Sequence, residues 1–310
     1  MTKLDITNTG RWIHRNARGL ELAKWRFYFE GGDAESVIDE LQYYQNIDGG
    51  FGHALEADCW NPASAPSQMF YAIHILHELA YQDTTHPVIQ NMLRYLESGK
   101  DMVDGFWVSI LPSNNQYPHA PWWTKTEKKT FDVYMPNADI CWFILKFAQK
   151  DSPLYDRAVS MVQRMLNLFL SQNEVEPHSL ESMMFLLREL QKTDSSCGQL
   201  EDAATAHGIQ LMRGLIEVNP DTWTAYCITP SFFIHDRLHP LYPEYRELLK
   251  LEVQRLMETR DADGCWDINW VWQEYESAYR LSANWWKSSV TMQKLMLYET
   301  FAEETGNAVC

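Results

Sequence analysis

Residues 53–60, HALEADCW, set His53, Glu56 and Asp58 against Trp60 within eight positions. A carboxyl held beside an indole loses hydration, which raises its pKa and suits it to general-acid chemistry. Asp58 and Glu56 are therefore candidate acids, with His53 and Trp60 as substrate-facing neighbours. The plainer alternative is that Asp58 and Asn61 hydrogen-bond loop backbone, as short polar side chains do beside proline.

A second set lies inside strongly apolar stretches. His74, Asp139 and Glu181 are isolated polar residues there, and Trp142 stands close to Asp139. Asp139 and Glu181 fall near expected helix starts, where a carboxylate also complements the helix dipole. His74 has the ordinary alternative of a satisfied core histidine. Taken together the three resemble an acid set lining a cavity.

The third set is the densest: WDINWVWQEYESAYRLSANWW, with Trp266, Asp267, Trp270, Trp272, Tyr275, Trp285 and Trp286. Aromatic faces stabilise cations and also stack on sugar rings, so this cluster suits either an isoprenoid or a saccharide.

These side chains need elements to hold them, and the chain repeats its elements. Leu41-x3-Gln45-x3-Gly49-x-Phe51 returns as Leu256, Arg260, Gly264 and Trp266, and with one insertion as Leu96, Lys100, Gly105 and Trp107. Asp48, Asp104 and Asp263 each precede the first glycine. Weaker copies start at Leu168 and Leu215. The glycines predict tight reversals at positive φ. They do not form a phosphate loop, since no GK[ST] follows and no strand precedes. The Asp spacing of a calcium-binding EF-hand is likewise missing.

Amphipathic helices are expected over 34–46, 86–98, 154–172, 199–218 and 243–259, from their 3.6-residue period. Almost wholly apolar helices are expected over 12–30, 66–80, 136–149, 178–190, 224–236 and 284–301. Pro66, Pro136 and Pro177 mark starts, and Pro230 must end or kink the fifth. A helix apolar all round is buried all round. The alternation suits outer helices covering inner ones, so the expectation is a single all-α domain, 1–310, folded as an α/α toroid. It would have about six inner and five to six outer helices in hairpin repeats, and no strand.

The corner spacing resembles the QW repeat of the terpenoid cyclase and protein prenyltransferase superfamily. The resemblance covers most of the chain as architecture and only the corners as motif. It implies an α/α toroid around an aromatic cavity, with Gln45, Gly49 and Phe51 bracing the next helix start, and Trp107 and Trp266 doing likewise. The chain departs from the family's chemistry. It holds neither DxDD nor DDxxD. Asp139-Ile140-Cys141 and Asp263-Gly264-Cys265 resemble the zinc-binding Asp-x-Cys pair; no histidine follows His239, so the second pair has no downstream ligand, and the first could recruit only His178, His207, His235 or His239. No cofactor is expected, neither magnesium nor zinc.

Net charge is −16, which disfavours nucleic acid and anionic membrane surfaces as partners. The densest basic run, KTEKK at 125–129, reads as a solvated loop. No apolar run reaches the ~18–20 residues of a membrane span, and the start, MTKLDITNTG, lacks a signal peptide's pattern. Six cysteines without framework spacing read as free thiols, so the expected location is the cytoplasm. The sequence leaves three readings: an isoprenoid enzyme with a carboxylate acid, a glycoside hydrolase or lyase with paired carboxylates, and a non-catalytic binding toroid. In each, a small molecule is the expected partner; oligomeric state is not legible.

Overall fold

The computed structural model describes residues 4–127, 132–192, 198–223 and 226–301. Helices dominate. In chain order they are α1 (Thr7–Asn16), α2 (Gly19–Phe29), α3 (Ala34–Leu41), α4 (Pro66–Glu78), α5 (Pro87–Glu97), α6 (Asn137–Phe147), α7 (Pro153–Leu170), α8 (Pro177–Leu190), α9 (Gln199–Leu215), α10 (Tyr242–Glu258) and α11 (Glu276–Phe301). The fold class is all-α.

Among the described residues one small hairpin interrupts the helices: β1 (Met102–Val103) pairs antiparallel with β2 (Phe106–Trp107). The strandless reading misses it because two-residue strands carry no alternation. Its turn is Asp104-Gly105, with φ of 52° and 80°, the pair of left-handed residues that a two-residue hairpin needs.

The chain divides into two compact units, one of residues 1–33, 212–271 and 279–310, the other of residues 34–211 and 272–278. In the second unit the helix starts follow local rules. Ser152 and Glu176 cap α7 and α8 by accepting the backbone N–H of Tyr155 and Ser179, and a proline opens each of α4, α5, α7 and α8. Nine of the eleven residues of α6 are buried, as are ten of fourteen in α8. The helices α3, α5 and α7 bury one stripe instead. Alternation of enclosed and half-covered helices is thus present here, and α6 packs against α4, α7 and α8. Each fully buried Ile140, Phe143 and Ile144 side chain contributes roughly 1.5–3 kcal/mol.

In the first unit, Ile13, Trp25, Leu256, Trp266, Met292 and Leu295 form the core. Three expected helices differ. The 12–30 segment is two helices, because Ala17 and Arg18 are both extended (ψ 151° and 164°). Within 224–236 the described residues hold only a 3-10 turn at Pro230–Phe232, where proline stops the helix; Thr224 and Ala225 lie outside the described residues. The last helix begins at Glu276, eight residues earlier than expected.

The corner glycines adopt matching geometry, with φ of 93° at Gly49, 80° at Gly105 and 79° at Gly264, whereas Gly50 and Gly52, expected at positive φ as well, do not adopt it and instead leave room for Ser64 and the Pro62 carbonyl. Gln45 donates through Nε2 to the Gly49 carbonyl (3.1 Å) and to Val88 at the start of α5 (3.1 Å). Arg260 stands at Gln45's repeat position and donates from Nε to the Gly264 carbonyl (2.9 Å), with a second bond to the Asp5 carbonyl (3.1 Å). In both corners a long donor at the same spacing closes the turn and ties it to a distant segment. Among the described residues no helix is long and apolar enough to cross a membrane. Cys59, Cys141 and Cys265 are buried and unbridged, as is half-buried Cys227; Cys197 and Cys310, and Lys128 and Lys129 of the basic run, lie outside the described residues.

Candidate active site on helix α4

Helix α4 is apolar apart from one stripe. Gln68, Tyr71 and His74 recur every three residues and so share a face. Each is tied to a carboxylate-bearing segment of the second unit. The Gln68 side-chain oxygen accepts the Glu56 backbone N–H (2.7 Å), while its amide reaches the Cys59 carbonyl (3.4 Å). The Tyr71 hydroxyl hydrogen-bonds the Glu56 carboxylate, and burial, with the charges of Glu56 and Asp58, pushes its pKa well above the tyrosine range. His74 Nε2 lies 2.8 Å from Asp139 Oδ1.

The loop bearing Glu56 and Asp58 is clamped from outside. Ala120 donates its N–H to the Asp58 carbonyl (2.8 Å), and Trp60 donates its own to Pro118 (3.0 Å). The Asp58 carboxylate is buried and accepts the Trp272 indole N–H at 3.0 Å. Trp272 is therefore the indole that bonds Asp58, whereas the Trp60 indole N–H goes to the Ala57 carbonyl (3.0 Å). Asn61 does bind loop groups, as the plainer reading has it, capping Ala63 and bonding Asn114. Exposed His53 bonds Asn46 at the rim of the corner (2.9 Å).

Asp139 sits in the first turn of α6 with no exposed surface, and His74 is its one hydrogen-bond partner among the described residues. The imidazole keeps 32% of its side-chain surface accessible. Burial pulls its pKa down, but the Asp139 hydrogen bond and charge, backed by Glu78 and Glu181, more than offset this and raise it. The rings of Phe70 and Phe185 flank it at 4.3 and 5.1 Å between centroids. Its Nδ1 makes no hydrogen bond among the described residues.

One turn further along α4, His77 lies 3.1 Å from Glu189, which also binds Lys192 at 2.7 Å. Burial would raise the Glu189 pKa, yet His77 and Lys192 outweigh it and hold it at about 2. Trp142 packs edge-on against His77 and Phe185 and carries Lys146 above its face (5.0 Å). Sequence reasoning missed Gln68, Tyr71, His77 and Glu189. The three-residue spacing of 68, 71 and 74 is a signal that could have found the first two.

The residues of the third sequence cluster are divided between the two units. Trp272 and Tyr275 belong to the second unit, where Tyr275 is 40% exposed and packs near His119 (5.6 Å). Trp266 is buried in the core of the first unit, and exposed Asp267 pairs with Lys287 (2.8 Å). Also in the first unit, Trp270 packs edge-on against Trp286 (5.5 Å), and Arg18 lies over the Trp285 ring (5.0 Å).

Burial, then the Glu56 charge, pushes the Cys59 thiol up to about 12, and burial raises Cys141 as well. Among the described residues no group of three or more His, Cys, Asp or Glu side chains could hold a metal ion. Compared with models of protein families, with curated proteins and with solved structures, the chain matches none.

Proposed function

We propose that the second unit carries the active site of an enzyme that performs acid–base chemistry on a hydroxyl-rich substrate, as a glycoside hydrolase or lyase does. The observation that carries this reading is the α4 stripe, in which Gln68, Tyr71 and His74 are each tied to the carboxylate segments of Glu56–Asp58 and Asp139. A polyol needs many hydrogen-bond partners and two separately placed proton-transfer groups, and such a stripe supplies both. An apolar isoprenoid chamber would have little use for them.

In this reading His74 moves the proton through Nδ1. Asp139 holds the ring by Nε2 and, through its charge, keeps the imidazole protonated to higher pH. Asp58, oriented by the Trp272 indole, is the opposing carboxylate, with Glu56 paired to Tyr71 behind it. Tyr71 and His74 are three residues apart, ~4.5 Å along the axis of α4, so the Glu56–Tyr71 pair and the Asp139–His74 pair lie on successive turns of one helix. Half-exposed Trp60 and exposed Tyr275 offer aromatic faces to a sugar ring. The α/α toroid, with these helices in its inner layer, is the arrangement that we propose to frame the site.

A second reading keeps the isoprenoid substrate. It is favoured by the Phe70, Phe185 and Trp142 rings around His74 and His77, which would shield a carbocation. Assay of the protein against an oligosaccharide panel and against prenyl diphosphates separates the two. For the first reading, Asp58→Asn and His74→Gln each lower saccharide turnover by about 10²–10⁴-fold. Turnover of prenyl diphosphates alone, or full rates in both variants, overturns it.

A further inference from the structure

The first unit contains a cleft that the proposed chemistry does not use. It is about 450 Å³ in volume and open on one side, between α1 and α2. Ile6, Trp25 and Phe29 make its apolar wall, and Arg11, His14 and Arg15 stand around it. The local charge is opposite to that of the whole chain. Between residues 11 and 26 there are five Lys/Arg side chains and one acidic residue, Glu21, in a protein of net charge −16. Glu21 is itself held by Arg18, within hydrogen-bond distance at 2.8 Å.

The single carboxylate on the wall is already satisfied. Glu30 accepts from the Trp25 indole N–H (2.7 Å) and pairs with His14 Nε2 (2.9 Å). That network fixes the ring of Trp25 and leaves Arg15 without a carboxylate partner among the described residues, while the charge of Arg11 also acts on Asp5. Arg11 bonds only Asn8 (3.0 Å), and Arg15 makes no hydrogen bond or ion pair among the described residues. Gly10 lets α1 come close to the indole: a Cβ there would meet the Trp25 ring at 3.3 Å.

We propose that this cleft binds a small aromatic oxyanion, a ring lying on Phe29 and Ile6 with its carboxylate or phosphate held by Arg11 and Arg15. The volume is that of a small-molecule pocket, which typically spans ~300–1,000 Å³. A planar guanidinium fork matches an oxyanion in two parallel hydrogen bonds. An apolar wall beside two such forks selects a molecule with one apolar and one anionic end. A neutral aromatic leaves the charge unused, and a bare anion leaves the wall wet.

The test uses the full chain and two probes of one shape, 2-naphthoate and the neutral 2-naphthamide. Binding is followed by calorimetry and by the indole ¹H–¹⁵N resonance of Trp25, assigned through Trp25→Phe. The expected result is that naphthoate moves the Trp25 resonance and binds at least about tenfold tighter than naphthamide, as for a charge-assisted contact. Arg15→Gln and Arg11→Gln, both at exposed positions, each remove about that factor for naphthoate and leave naphthamide unchanged. Benzyl phosphate against naphthoate then distinguishes the two head groups. A Trp25 resonance that does not move with either anion overturns the proposal. Equal affinity for the acid and the amide overturns it too, because the cleft would then be apolar surface alone.

Discussion

Replacing Asp139 by asparagine keeps the shape of a fully buried side chain and removes one charge, so it isolates the electrostatic content of the 2.8 Å contact with His74. A hydrogen bond to a charged group is worth about 1.5–3 kcal/mol and a neutral one about 1 kcal/mol, so the variant loses about 0.5–2 kcal/mol where the imidazole is protonated. Because the folded-state pKa of His74 is raised, its contribution is fully present below the unfolded histidine value of about 6.5. It is lost as pH rises through the folded value. Asp139→Asn should therefore lower Tm by about 1–4 °C near pH 5.5, at about 2 °C per kcal/mol for a chain of this size, and by less near pH 9. Thermal melts followed by circular dichroism across that range measure the gap. His74→Gln in wild-type and Asp139→Asn backgrounds completes a double-mutant cycle, whose coupling term should show the same pH dependence. A Tm gap constant from pH 5.5 to 9, or one that widens toward alkaline pH, refutes the reasoning.

Trp272→Phe removes the indole N–H that buried Asp58 accepts, which should cost about 1–3 kcal/mol in denaturant melts; a change near zero would show that the bond does not hold the carboxylate. Gly49→Ala forces a Cβ to within 2.0 Å of the Asn91 carbonyl at φ +93° and should yield little folded protein. Gly214→Ala, with open space around it in α9, should be neutral or stabilising by up to about 1 kcal/mol; equal melting of the two variants would sink the account of the corner. Cys59, buried with its pKa pushed to about 12, should resist iodoacetamide in the native state at pH 8 and react once the chain is unfolded. Mass spectrometry of the alkylated peptide reads the difference.

The elements that sequence determined are those whose cause is local. Gly49, Gly105 and Gly264 were legible as corners because a left-handed φ is cheap only without a Cβ, and they adopt it. Pro66 and Pro177 open α4 and α8, and Pro136 directly precedes α6, for an equally local reason: a residue at a helix start needs no N–H. The enclosed helices α6 and α8 follow from the lack of a polar face. The break at Ala17–Arg18 was not legible, since neither residue forbids a helix and packing alone selects the extended pair.

The candidate site was legible as a list of residue types and not as an arrangement. Asp58 was singled out with its neighbour Trp60, but its indole partner is Trp272, 214 positions away. Asp139 and His74 were named separately, and only the packing of α4 on α6 makes them a dyad across 65 positions. The aromatic run 266–286 read as one cluster, yet Trp272 and Tyr275 fold with one unit and Trp266 with the core of the other. Backbone propensity acts over a few residues and is written in them. A carboxylate's pKa and partners depend on which side chains end up within about 3–4 Å, and that is decided by how helices pack after the chain has closed its long loops.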